Sequence, residues 1–132
     1  MKRFFADTFY FLALLNKRDQ AHSQALTYSA IVDRLVTTEW VLTELADGLA
    51  SSQQRAMFTK TRQELLDDAD TLVVPLSMAL HEQGIQLFAA RPDKEWSLTD
   101  CISFVVMQRE CITEALTGDH HFEQAGITAL LK

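Results

Sequence analysis

The sequence predicts an α/β fold, a three-layer α/β/α sandwich with a central parallel sheet of four to five strands. Short apolar, β-prone runs alternate with segments whose apolar residues recur at helical spacing. Such alternation is typical of a parallel sheet with helices on both faces. The chain has 132 residues, a length typical of one domain, so we expect residues 1–132 to form a single domain.

The first half of the chain opens on a short apolar run that ends abruptly at Asp7, and an apolar helix follows. Further on, Thr38 has the residue type of an N-cap and precedes a helix whose apolar residues share one face. The predicted elements are a strand at 3–6, helices at 9–15 and 20–31, a strand at 35–37, and helices at 39–49 and 53–69.

The second half continues the alternation. Pro75 ends a β-prone run, because proline cannot donate a hydrogen bond to a sheet. Ser97-Leu98-Thr99-Asp100 has the spacing of a capping box before an apolar run, and Gly118 is expected to turn the chain. The predicted elements are a strand at 72–75, helices at 77–90 and 97–109, a strand at 112–116, a helix at 119–124 and a strand at 127–131.

Composition narrows the class of protein. Apolar residues make up 48% of the chain and charged residues 23%, as in ordinary soluble globular proteins. No apolar run approaches the roughly 20 residues of a membrane span. The apolar stretch after Lys2 and Arg3 breaks at Asp7, unlike a signal peptide. We therefore expect a cytoplasmic protein with no membrane partner.

The two cysteines, Cys101 and Cys111, lie ten positions apart with no histidine at ligand spacing. This pattern does not favour a zinc site. In a reducing compartment, we expect both to be free thiols that fill the core.

The net charge is −6, from 18 acids against 12 lysines and arginines. Taken alone, this charge argues against a nucleic-acid partner. If four acids hold a metal, the others number fourteen against twelve, and the remaining surface is close to neutral.

Three aspartates occur where strands end or helices begin. Asp7 follows the first strand, Asp119 follows a later strand, and Asp100 opens the helix before that strand. Each one alone is readily explained as a helix cap. Because the carboxyl ends of parallel strands meet at one edge, we expect the three carboxylates to lie together.

A group of carboxylates predicts a metal site. Crowded carboxylates raise each other's pKa unless a cation neutralises them, and Mg²⁺ and Mn²⁺ prefer oxygen ligands. A metal at such an edge often serves phosphate chemistry. A fourth acid would come from the helix at 39–49, where Glu39 and Glu44 flank the apolar face from opposite sides. Helical spacing does not choose between them.

These residues resemble the PIN-domain ribonucleases, specifically the VapC-type toxins of toxin–antitoxin systems. The resemblance covers nearly the whole chain, and its last two motifs are the most specific. The motifs are Phe5-Ala6-Asp7-Thr8, Thr43-Glu44-Leu45, Trp96-Ser97-Leu98-Thr99-Asp100-Cys101 and Thr117-Gly118-Asp119-His120-His121-Phe122.

The resemblance implies that Asp7, Glu44, Asp100 and Asp119 are the catalytic and metal-binding acids, and it selects Glu44 over Glu39. It implies that the hydroxyls of Thr8 and Thr117 help to position a ligand or water. The implied activity is a Mg²⁺-dependent endoribonuclease, with Mn²⁺ as the other ion the family uses. RNA is the implied substrate, and an antitoxin and a homodimer are the implied assemblies.

One position departs from the family pattern, and three other residues have two explanations each. Gly118 stands where other members often carry a bulkier or basic residue, so contacts with RNA are expected to differ. His120 and His121 invite a general-base role, although helix-start or surface positions are the commoner explanation. Trp96 has a ring that can stack on a base, although an anchor at the loop–helix junction is commoner.

Other classes of protein fit less well. A phosphoacceptor signalling domain would carry an acidic pair after the first strand, where this chain has Asp7-Thr8. A haloacid-dehalogenase-like phosphatase requires Asp-x-Asp, and Phe9 occupies the second acidic position. The alternative that stays open is a catalytically silent binding module with the same fold, acting through protein or RNA partners.

Overall fold

The computed structural model describes residues 1–132. Strands and helices alternate along most of the chain, as predicted. In chain order they are β1 (Arg3–Ala6), α1 (Thr8–Leu15), α2 (His22–Ile31), β2 (Arg34–Thr38), α3 (Glu39–Gly48), α4 (Arg55–Asp67), β3 (Thr71–Val74), α5 (Met78–Ala90), α6 (Leu98–Arg109), β4 (Glu114–Leu116), α7 (His120–Gln124) and β5 (Thr128–Ala129).

The five strands form one parallel sheet in the order β3-β2-β1-β4-β5. β1 therefore lies at the centre, with Phe5 opposite Val36 of β2 on one side and Ala115 of β4 on the other. The three central strands are almost completely buried, as expected where helices cover both faces of a sheet. The predicted fold class is confirmed. Every helix is too short or too polar to cross a bilayer.

Local capping signals fix several helix starts. The Thr38 hydroxyl accepts the Val41 N–H at 3.1 Å and begins α3. Ser97 and Asp100 form a complete capping box at the start of α6, so the pattern seen in the sequence is confirmed. Each such cap satisfies backbone N–H groups that the helix itself leaves without partners.

Two predicted strands, at 112–116 and 127–131, begin later in the structure, for the same reason. After α6, the Ile112 N–H donates to the Met107 carbonyl, and after α7 the Ile127 N–H donates to the Phe122 carbonyl. These bonds close Schellman motifs, which use the residue after the left-handed position to finish the helix. Ile112 and Ile127 are therefore committed to helix ends and not to strands.

The left-handed positions of these motifs are Cys111, with φ 56°, and Gly126, with φ 85°. Glycine adopts this conformation without steric cost, whereas cysteine is an uncommon choice. Cys111 is exposed while Cys101 is buried. The expectation that both thiols fill the core is confirmed for Cys101 and wrong for Cys111, because Cys111 turns the chain at the surface.

Close packing of α5 on α6 depends on Gly84. A Cβ atom at this position would lie 2.3 Å from the Cγ1 atom of Ile102, which is fully buried on α6. By contrast, a Cβ atom at Gly48, at the end of α3, would meet only the Leu12 Cδ2 atom, at 3.9 Å. The two helical glycines thus differ in the space around them.

We expect Gly84→Ala to lower the free energy of unfolding by about 1–3 kcal/mol, because the new methyl group overpacks the α5–α6 interface. Helix propensity alone predicts the opposite sign, a gain of up to about 1 kcal/mol. Gly48→Ala is the matched control and should be neutral or stabilising. Urea unfolding measures both variants, and a Gly84→Ala protein as stable as the wild type would contradict the packing argument.

Candidate active site

The carboxyl ends of β1 and β4 open into a cavity of about 500 Å³. The two strands are neighbours at the centre of the sheet, and the Asp7 N–H donates to the Leu116 carbonyl where they end. The cavity brings together all four acids predicted from the sequence. Its lining residues are Asp7, Thr8, Phe9, Leu12, Glu44, Glu95, Ser97, Asp100, Asp119 and His121.

Asp7 occupies the N-cap position of α1, but its side chain makes no capping hydrogen bond to the helix. The carboxylate is buried, with 6% of the residue exposed, and its Oδ2 atom accepts a hydrogen bond from Thr117 Oγ1 at 2.9 Å. The explanation of Asp7 as a helix cap therefore fails. A buried acid at a cavity wall calls for a functional explanation.

The hydroxyl of Thr117 joins two of the acids. It donates to Asp7 and accepts the N–H of Asp119 at 3.1 Å. Thr117 is fully buried at the end of β4, so its hydroxyl is fixed by both contacts. Thr8, the other predicted hydroxyl, is also buried and lies 3.5 Å from the Val41 carbonyl. Of the two, Thr117 has the contacts of a positioning residue.

Asp100 and Asp119 are helix caps as well as cavity residues. Asp100 Oδ2 accepts the Ser97 N–H at 3.1 Å, and Asp119 Oδ1 accepts the His121 N–H at 2.9 Å. These bonds fix the orientation of each carboxylate with respect to the start of α6 or α7. Both acids are therefore helix caps, as one explanation of the sequence predicted, and both also line the cavity.

The structure separates the two glutamates that helical spacing left equivalent. Glu44 lines the cavity. Glu39 turns to the other side of α3, where its carboxylate forms a two-pronged ion pair with Arg62 of α4 at 2.6 and 3.1 Å. Glu39 is therefore a structural residue, and only Glu44 is available to the cavity.

The environment of the cavity disfavours the charged form of its buried carboxylates. Burial raises the pKa of Asp7 to about 7. The Thr117 hydroxyl and the Thr8 backbone amide oppose this rise, and the charges of Asp100 and Glu44 add to it. Burial also raises the pKa of Asp100, with the Ser97 amide opposing and the charge of Asp119 adding to the rise. No lysine or arginine lines the cavity. The negative charge therefore lacks a full counter-charge within the protein.

This donor set fits a hard divalent cation. The carboxylates of the four predicted acids provide the oxygen ligands that Mg²⁺ and Mn²⁺ prefer, and a cation would offset both the burial and the weaker repulsion that raise the pKa of Asp7. Asp7, Asp100 and Asp119 lie on rigid strand ends and helix starts, while Glu44 reaches the cavity from α3. The residues present are thus compatible with metal binding.

Sequence reasoning gave too little weight to His121 and missed Glu95. His121 Nδ1 lies 3.4 Å from Asp100 Oδ2 and 3.3 Å from Asp119 Oδ1. His120, by contrast, points outward, and 66% of its side chain is exposed. Two adjacent histidines in the sequence gave no indication of which one would face inward. Glu95 lies in a loop without any local pattern.

A column of packed aromatic rings lies between the elements that carry three of the acids. Trp96 packs edge-on against Phe104, and Phe104 packs edge-on against Phe122, with ring centroids 5.0 Å apart in each pair. Phe122 also packs against Phe5 of β1, with the two ring centroids 6.4 Å apart. The column links the elements that carry Asp7, Asp100 and Asp119. Trp96 is buried and donates to Gln124 Oε1, so the structure supports the anchor interpretation over base stacking.

Gly118 is required by the ring of Phe9 and not by a turn. The chain passes from β4 to α7 at this residue, as expected, but its φ angle is not positive, so the backbone conformation is open to other residues. A Cβ atom there would lie 2.5 Å from Phe9 Cζ. Phe9 lines the cavity, and the glycine leaves room for its ring at the mouth.

Comparisons with known proteins agree with this fold. A sequence model of the PIN domain matches residues 4–127. The chain is similar to the crystal structure of VapC20 from Mycobacterium tuberculosis, a sarcin–ricin loop cleaving toxin, with 26% identity and a TM-score of 0.85 over 95% of this chain and 96% of that one. No curated protein sequence matches the chain.

Two further structures share the fold at lower identity. One is VapBC2 from Rickettsia felis bound to a DNA fragment from its promoter, with 14% identity and a TM-score of 0.67 over 96% of each chain. The other is DNA-bound VapBC from Salmonella typhimurium, with 14% identity and a TM-score of 0.68 over 98% of this chain and 97% of that one.

Proposed function

The chain belongs to the PIN-domain family, and on this basis we propose that it is a metal-dependent endoribonuclease that hydrolyses RNA phosphodiester bonds. One observation carries the proposal: five carboxylates, those of the four predicted acids and of Glu95, share one cavity that no lysine or arginine lines. Such a site suits a divalent cation that binds a phosphate group of the substrate. We further propose that the protein is the VapC-type toxin of a toxin–antitoxin pair and acts in the cytoplasm.

In this proposal Asp7, Asp100 and Asp119 hold Mg²⁺ or Mn²⁺, and Glu44 holds a second ion or orients water. A bound divalent cation offsets charge on the phosphoryl oxygens and makes water easier to deprotonate. Thr117 keeps Asp7 and Asp119 at a fixed separation through its two hydrogen bonds. The Ser97 amide orients Asp100 in the same way. Because these hydrogen bonds already hold the carboxylates in place, the site needs little reorganisation during the reaction.

The toxin assignment rests on the similarity to VapC20, a toxin that cleaves the sarcin–ricin loop. RNA is accordingly the proposed substrate class. An antitoxin partner is proposed from the same family membership, and the VapBC structures share the fold. A homodimer is the proposed assembly.

The test is RNA cleavage by the purified chain with Mg²⁺ or Mn²⁺ and with a chelator. Cleavage should require a divalent ion and should return when the ion is restored. Glu44→Gln should lower the rate at least about tenfold, in line with the loss of one charge-stabilising group. Glu39→Gln, on the same helix but paired with Arg62, is the matched control and should cut at the wild-type rate.

Two results would count against the proposal. Cleavage that persists in chelator would exclude a metal-dependent mechanism. A folded chain that cuts no RNA with any divalent ion, yet binds a small partner protein, would favour the silent binding module.

A further inference from the structure

His121 stands between two of the proposed metal ligands. Its Nδ1 atom lies 3.4 Å from Asp100 Oδ2 and 3.3 Å from Asp119 Oδ1. The ring is largely buried, with 21% of the side chain exposed, and it lines the same cavity as the four acids. It is the only nitrogen-bearing side chain among the lining residues.

The distance from His121 to each acid suits neighbouring ligands of one ion. Neighbouring ligands at roughly 2.1 Å from one octahedral ion lie about 3 Å apart. The observed separations are close to that value. They are longer than the roughly 2.8 Å of a strong charge-assisted hydrogen bond. Asp119, His120 and His121 each offer a ligand atom within 4.8 Å of the other two, whereas Asp100 does not belong to this group. Asp119 and His121 are the two members of the group that also line the cavity.

The chemistry of the imidazole then bears on which ion is chosen. Mg²⁺ strongly prefers oxygen, whereas imidazole nitrogen is a good ligand for first-row transition ions. We propose that His121 Nδ1 is a metal ligand beside Asp119, and that it gives the site a preference for Mn²⁺ over Mg²⁺. The inference rests on the proposed metal site and deepens it from an acidic group to a mixed nitrogen and oxygen donor set.

The neighbouring His120 is the other nitrogen ligand close to Asp119, so it tests whether the inward position of His121 is what matters. His120 Nδ1 lies 3.6 Å from Asp119 Oδ1, but 66% of its side chain is exposed, and it does not line the cavity. If mere positive charge near Asp119 mattered, both histidines would contribute. If a ligand atom inside the cavity matters, only His121 will.

The experiment measures ion binding without RNA, so that it can fail independently of RNA cleavage. Free Mn²⁺ is quantified by electron paramagnetic resonance at one fixed pH, and Mg²⁺ affinity is obtained by competition. His121→Ala should weaken Mn²⁺ binding about tenfold or more and change Mg²⁺ binding far less. His120→Ala should change neither affinity. Circular dichroism of the metal-free variants confirms that both remain folded.

A direct spectroscopic signature completes the test. Mn²⁺ bound to the wild type should show the electron spin-echo modulation of a coordinated nitrogen, and this signal should vanish in His121→Ala. Unchanged Mn²⁺ affinity, an equal loss of both ions, or absence of the nitrogen signal in the wild type would overturn the inference while leaving the acidic metal site intact. Wild-type protein that binds neither ion would overturn the inference and the metal site together.

Discussion

Asp7→Asn is expected to lower RNA cleavage by about a hundredfold or more while the protein stays folded. Asparagine keeps the size of the side chain and an oxygen that can accept the Thr117 hydrogen bond. It removes the negative charge at the most buried of the four acids. The substitution should therefore lower the cleavage rate without unfolding the protein. Initial rates with Mg²⁺ and with Mn²⁺, together with urea unfolding, measure both.

Asp47→Asn is a suitable control for this variant. Asp47 is exposed on α3 and lies outside the cavity, so its loss changes the net charge by the same amount without touching the site. It should cut at the wild-type rate. If a folded Asp7→Asn protein cuts as fast as Asp47→Asn, Asp7 has no part in the reaction.

The second large effect is on stability in the absence of metal. Asp7 has an ordinary pKa of 3.8 in the unfolded chain and a pKa of about 7 in the folded protein, because burial disfavours its charge. Between these values the folded protein holds a proton that the unfolded chain has released. The contribution of Asp7 to stability is thus highest below about pH 4 and falls as the pH rises to about 7. The loss is on the order of 4 kcal/mol.

Comparison of the wild type with Asp7→Asn isolates this contribution from the other titrating groups. With chelator present, the wild type should lose stability relative to Asp7→Asn as the pH is raised from 5 to 8. Adding Mn²⁺ at pH 8 should restore stability to the wild type and do much less for the variant. Urea unfolding at the two pH values provides the measurement. Parallel pH profiles for the two proteins would show that Asp7 ionises as freely in the fold as outside it.

Much of the fold could be predicted because its signals are local. The apolar run before Asp7, the N-cap at Thr38 and the capping box at Ser97 each depend on only a few neighbouring residues. The boundaries that were misplaced depend on closure of the preceding helix. Ile112 and Ile127 look like strand residues by type, but their N–H groups are used by α6 and α7.

The site was less accessible from the sequence because it is made by contacts between distant segments. Glu39 and Glu44 are equivalent by helical spacing, and only the position of Arg62 on α4 separates them. The inward position of His121 depends on the start of α7 meeting the start of α6. Family resemblance selected Glu44, whereas nothing in the local sequence indicated that His121 would lie between two acids.

The hydroxyl of Thr117 joins residues 110 positions apart in the chain. In the order of synthesis, Asp7 and Glu44 are made early, and Asp100, Thr117 and Asp119 are made late. A growing chain on the ribosome therefore cannot assemble the four acids until β4 has emerged and paired with β1. On the proposed function, the nuclease cannot cut RNA until the segment that carries Thr117 and Asp119 has left the ribosome and joined Asp7.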